Sequence, residues 1–211
     1  SWAEHRQRWT ALEQAVAARQ LQPSESLKQH SQLIASFMVF TERVLDDYKL
    51  AQDPVLATSS LSRGTLTQAP WLAEKMGVLR AQGASALAQG TLPPESRATL
   101  LAVQSRVGEL YDGMLRDLDK AAQGDATLKA QLSSGTQALK QQITATLVVA
   151  NREVIEAPAL SMPAPAFFDE LTRTIDGLYD FNAVAMKGLV DALESRVQGL
   201  RNAMFMMVGV L

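Results

Sequence analysis

Apolar residues recur at intervals of three and four along almost the whole chain, the beat of helices that bury one face. Turn and breaker residues cut that beat into six segments. The first runs from Trp2 to about Gln20, with Trp9, Leu12 and Val16 in phase, and Pro23 ends it. The second begins at Ser24, an N-cap candidate, and puts Leu27, His30, Leu33, Ile34, Phe37, Phe40, Val44 and Tyr48 on one stripe. It is expected to stop by Gln52, ahead of Pro54. The Ser- and Thr-rich stretch 53–64 reads as a loop or a short helical turn. A third helix is predicted to open between Thr67 and Pro70, carry Leu72, Met76, Leu79 and Leu87, and close at Gly90.

The fourth segment has the clearest start, because Pro93-Pro94-Glu95 supplies prolines at the entry and an acid for the positive end of the helix dipole. Leu100, Val103, Val107, Leu110, Met114 and Leu118 follow, up to a break at Gly124-Asp125. The fifth spans about Ala126 to Glu156, where Pro158, Pro163 and Pro165 interrupt it. The sixth begins near Phe167 and keeps a heptad-like seam from Phe168 through Ile175, Ala185, Leu189, Val197 and Leu200 to Met204. No segment sustains strand alternation. The expected fold is all-α: an elongated antiparallel bundle of about six helices. In one arrangement two four-helix bundles are stacked, with helices one and six sharing the membrane-near layer; the alternative is a single irregular six-helix bundle.

The last helix runs into Ala203-Met-Phe-Met-Met-Val-Gly-Val-Leu211 without a charge or a stop signal. That tail is predicted to be the start of a second transmembrane helix, residues 203–211, following a helical domain over 1–202. Docking of the tail on the domain's own core is the alternative. Since the chain opens at Ser1-Trp2 without an initiator Met or a leader pattern, it is expected to be part of a longer protein.

Composition narrows the function. A net charge of −2 gives no electrostatic footprint for nucleic acid. The absence of cysteine excludes disulfides, thiol nucleophiles and thiolate metal sites. The two histidines, His5 and His30, have no metal-ligand spacing. No nucleophile elbow or phosphate loop is present. The acids Asp46-Asp47 and Asp112, Asp117 and Asp119 read as solvated helix faces. We therefore expect no catalytic residues, no metal, no cofactor and no enzymatic activity.

Binding chemistry concentrates between Arg43 and Trp71, where cations, amides, hydroxyls and aromatics occur together at a distal connection. Arg63 and Gln68, with Trp71 as a wall, form the predicted ligand contacts; Arg43 is an alternative cation. Arg106, with Tyr111 after it, is a further candidate on the fourth helix. An arginine fork pairs with a carboxylate, so a small organic carboxylate is the expected ligand. His30 lies on an apolar stripe and reads as a hydrogen-bonded core residue.

Several stretches resemble the helical extracytoplasmic sensor regions of bacterial transmembrane receptors, chiefly methyl-accepting chemotaxis proteins. They are Ser26-Leu-Lys-Gln-His30-Ser-Gln-Leu-Ile34, Asp53-Pro54, the series Ala69-Pro70-Trp-Leu-Ala-Glu74 to Gly83-Ala84 that contains Arg80, and Ile175-Asp-Gly-Leu-Tyr179. Ser59 and Ser60 stand where that family often has tyrosines, and Gln68 where it has an arginine. The resemblance implies a periplasmic sensor domain of an inner-membrane chemoreceptor, held by flanking membrane helices and acting as a homodimer. Such a domain binds a small molecule and passes the signal through its last helix. A helical scaffold that binds other proteins is the competing expectation.

Overall fold

The computed structural model describes residues 1–123 and 125–209. Gly124 in the predicted fourth break, and Val210 and Leu211 at the end of the predicted span, lie outside the described residues. Helices α1 (Trp2–Ala17), α2 (Pro23–Asp47), α3 (Leu56–Arg63), α4 (Ala69–Gln89), α5 (Pro94–Gln123), α6 (Ala126–Ala150) and α7 (Ala164–Gly209) make an all-α structure, with no strand among the described residues. A 3₁₀ turn occupies Leu50–Gln52, and π-helical segments occupy Gly64–Gln68 and Asn151–Ile155. Because α3 runs through the first π segment into α4, six continuous helices result.

The ends follow local chemistry. Asp125 caps α6 by accepting from the amides of Thr127 and Leu128 at 2.8 and 3.0 Å. Lys49 leaves α2 in the left-handed conformation, φ 54°, and Gly90 ends α4 at φ 67°. Pro94 starts α5, as the sequence predicts. Pro165, expected to interrupt a helix, instead sits in the first turn of α7, where its missing N–H has no intrahelical acceptor to serve.

The stretch expected to be a loop or a short helical turn is helix α3, and it is buried from Thr58 to Ser62. Its hydroxyls bond to the carbonyls of their own helix: Ser59 to Val55 at 3.2 Å, Ser62 to Thr58 at 2.8 Å and Thr65 to Leu61 at 2.7 Å. Small polar side chains satisfied in this way need no water. The third helix thus starts at Leu56, and Pro70 falls in its interior. An α-helical register would drive the Pro70 ring against the Leu66 carbonyl. The π segment widens the turn, with the Ala69 N–H bonding to Gly64 O instead.

Helices α4, α5, α6 and α7 enclose the core, with α3 prolonging α4 against α5 and α7. The larger core cluster joins Leu61, Leu72 and Met76 to Met114, Ile143, Leu178 and Leu189. The smaller cluster, at the end where α4 meets α5, joins Leu79, Leu100, Ile155, Phe167 and Leu171. Helix α2 lies along α4, and α1 packs on α2. The expected pairing of the first helix with the last is therefore not what is seen: the main partners of α7 are α4 and α6. His30 donates from Nδ1 to Ser26 O at 2.7 Å and meets the Trp9 ring edge-on.

Candidate functional site

Of the predicted contacts, the structure brings Arg63 and Gln68 to the same neighbour. Arg63, at the end of α3, donates from Nε to Asp117 of α5 at 3.3 Å, from Nη1 to Ala51 O at 3.3 Å and from Nη2 to Ser60 Oγ at 3.1 Å. Gln68 packs one turn away on α5, where a Cβ at Gly113 would stand 3.2 Å from its Oε1. Asp117 is nearly buried, so the Arg63 charge is already neutralised by a group of the chain itself.

The other predicted residues are scattered. Trp71 donates from Nε1 to Glu42 on α2 at 3.5 Å, and Lys75 lies over its ring. Arg43 is exposed beside that contact. Arg106 is exposed and pairs with Glu109 of its own helix at 2.8 Å. Tyr111 points into the larger core and its hydroxyl has no partner. Burial, reinforced by Asp112, pushes that hydroxyl's pKa up to about 12. A groove of about 760 Å³ between the start of α2, the end of α4 and the start of α5 has no charged residue in its lining, so it offers no side-chain charge to an anion.

The arginine that stands out is Arg80 on α4. It donates from Nη1 to Thr172 Oγ1 on α7 at 2.7 Å, and its guanidinium lies 4.4 Å from the centre of the Phe168 ring. Thr172 donates its own proton to Phe168 O at 2.8 Å, so toward Arg80 it acts purely as acceptor. The Nε–H of Arg80 is buried and has no partner. No carboxylate pairs with Arg80 among the described residues, whereas Arg63, Arg106, Arg152, Arg173 and Arg196 each have one. A buried donor left unsatisfied costs about 1–3 kcal/mol. Because Nη1 is cis to Cδ, the unpaired edge is the Nε–Nη2 fork, two parallel N–H groups of the kind a planar oxyanion accepts.

Close approach of α4 and α7 places Thr172 and Phe168 there. Gly83, one turn after Arg80, lets the Phe167 ring lie where a side chain would stand: an added Cβ would come within 2.5 Å of it. Further along α7, Tyr179 belongs to the same electrostatic neighbourhood. Desolvation and then Glu74 raise its hydroxyl pKa, while Arg80 pulls it down.

Sequence reasoning passed over Arg80, although a signal was present. Its helical neighbours at three and four residues are Met76, Gly77, Gly83 and Ala84; none can pair with a cation. Against this geometry, the chain matches the family model described as nitrate and nitrite sensing over residues 4–197. No curated protein and no solved structure matches it.

Proposed function

This chain belongs to the nitrate and nitrite sensing family of extracytoplasmic sensor domains, and we propose that it binds nitrate or nitrite at Arg80, where α4 packs on Thr172 and Phe168 of α7. The observation that carries the site is the buried, partnerless Nε–H of a guanidinium with no carboxylate beside it. Nitrate is planar, carries one negative charge and presents paired oxygens at the spacing a guanidinium fork accepts. An organic carboxylate offers the same oxygen pair, but the family description favours nitrate and nitrite over it. Phe168 covers one face of the guanidinium and leaves its edge for the ion. The domain acts by binding, without catalysis or a cofactor.

The wider reading is a periplasmic domain of an inner-membrane receptor of the chemotaxis type, working as a homodimer. Two features support it. Tyr179, Met186, Val190, Val197 and Leu200 form an exposed stripe at heptad spacing on α7, which a second α7 fits. Met204 to Met207 continue as exposed apolar residues, as a helix entering a membrane does. No helix of the described residues is by itself long and apolar enough to cross one.

Calorimetric titration with nitrate, nitrite, acetate and dicarboxylates tests the site. We expect nitrate or nitrite to bind and Arg80→Gln to abolish binding while the fold persists. At 100 times its dissociation constant the ligand should stabilise the chain by about 2.7 kcal/mol. Binding that survives Arg80→Gln and disappears in Arg63→Ala would move the site to Arg63 and Gln68.

A further inference from the structure

Resting on the reading of Arg80 as the anion site, we infer that Thr172 is its positioning residue: a neutral acceptor on α7 that fixes the direction of the guanidinium without cancelling its charge. A free arginine samples many rotamers, and ordering it when an anion docks weakens binding. Arg80 is ordered beforehand from two sides. Its Nη1 donates to Thr172 Oγ1 at 2.7 Å, and its Cζ lies 4.4 Å from the centre of the Phe168 ring. Because the guanidinium is planar, one hydrogen bond in its plane and one ring against its face together set where the Nε–Nη2 edge points.

Thr172 is itself held in one orientation. Its proton goes to Phe168 O at 2.8 Å, one turn back on α7, so only lone pairs face Arg80 and the hydroxyl has no proton to offer an anion. It therefore acts through Arg80 and not on the ligand. The neutrality of this anchor matters as much as its direction. Arg63 is also held by a hydroxyl, that of Ser60, but Asp117 pairs with it as well and neutralises it. Helix α7 carries the exposed carboxylates Asp169 and Asp176 on either side of Thr172, and among the described residues neither pairs with Arg80. A carboxylate in place of the Thr172 hydroxyl would orient the guanidinium equally well and take up the charge that an anion needs.

Three variants of the whole chain separate these roles, read by calorimetric titration with nitrate and by nitrogen-15 NMR of Arg80 Nε–H exchange with water. Thr172→Ser keeps both hydroxyl contacts and should bind nitrate within about two-fold of the native chain. Thr172→Val keeps the shape but has no acceptor. Its nitrate dissociation constant should rise about five-fold, the cost of ordering one long side chain, and its Nε–H should exchange faster. Thr172→Asp should hold Nε–H exchange slow yet weaken nitrate about ten-fold or more, the worth of a hydrogen bond to a charged group. A packing role alone would lower stability in urea without this split between exchange and affinity. Thr172→Val binding as tightly as the native chain, Thr172→Asp doing so, or Thr172→Ser failing as Thr172→Val does, each overturns the inference. If Thr172→Asp does not fold, the serine and valine variants decide between themselves. If the native chain takes up no nitrate, the anion reading of Arg80 fails, and Nε–H exchange alone judges Thr172: faster in Thr172→Val but not in Thr172→Ser upholds its hold on Arg80, and equal rates in all three chains refute it.

Discussion

Gly83→Ala makes the sharpest test of how α4 and α7 are spaced. In an exposed helix this exchange stabilises by about 0.8–1 kcal/mol, because alanine loses less backbone entropy. Here the new methyl would stand 2.5 and 2.7 Å from two atoms of the Phe167 ring, well inside contact distance. Phe167 is fully buried among Leu79, Leu100 and Leu171, so the ring cannot swing into solvent. Overpacking of this kind costs about 1–3 kcal/mol; set against the helix gain, a net loss of about 1 kcal/mol is expected. Urea unfolding with an unchanged slope measures it. Phe167→Leu should destabilise the native background but rescue Gly83→Ala, giving a coupling of about 1 kcal/mol in the double-mutant cycle. Since Phe168 and Thr172 ride on the same helix turns, widening the gap should also weaken nitrate binding at Arg80. Gly83→Ala that stabilises by the full propensity gain, with no coupling to Phe167, would refute the close-packing argument.

Tyr111→Phe removes a buried hydroxyl that has no partner and should stabilise by about 1 kcal/mol in urea. The native chain holds that proton until about pH 12 while the unfolded chain releases it near 10; the folded state therefore binds more protons in this window. Stability should fall as pH rises from 10 to 12, and Tyr111→Phe should flatten that decline. The native chain has no cysteine, which permits clean crosslinking. Val197→Cys and Val190→Cys should each form disulfide dimers if α7 pairs in parallel, and the off-stripe Glu194→Cys should not.

Much of the architecture was legible because proline and glycine mark the helix ends: Pro23, Gly90 and Pro94 all stand within a residue of an observed boundary. Helix α3 was not, for a physical reason. Thr58, Ser59, Ser60 and Ser62 look like loop composition, and the burial of Ser59 and Ser62 is made tolerable by their own helix's carbonyls and that of Ser60 by Arg63. Arg63 was legible as a functional type but not as a paired one, since Asp117 lies 54 residues away. The reverse holds for Arg80. Its lack of a partner along α4 can be read in the sequence, but the absence of one across the bundle cannot.

The anion site proposed at Arg80 has a consequence for competing ions. A guanidinium with no carboxylate beside it attracts any small anion the medium supplies, chloride among them. Halide then competes with nitrate by mass action, so the half-saturation point is set by the ratio of the two concentrations. Raising sodium chloride should shift the nitrate response to higher concentration without lowering its ceiling, whereas a salt with a large anion that cannot enter beside Phe168 should leave it in place. A receptor built this way would ignore dilution and report enrichment of nitrate over its ionic background.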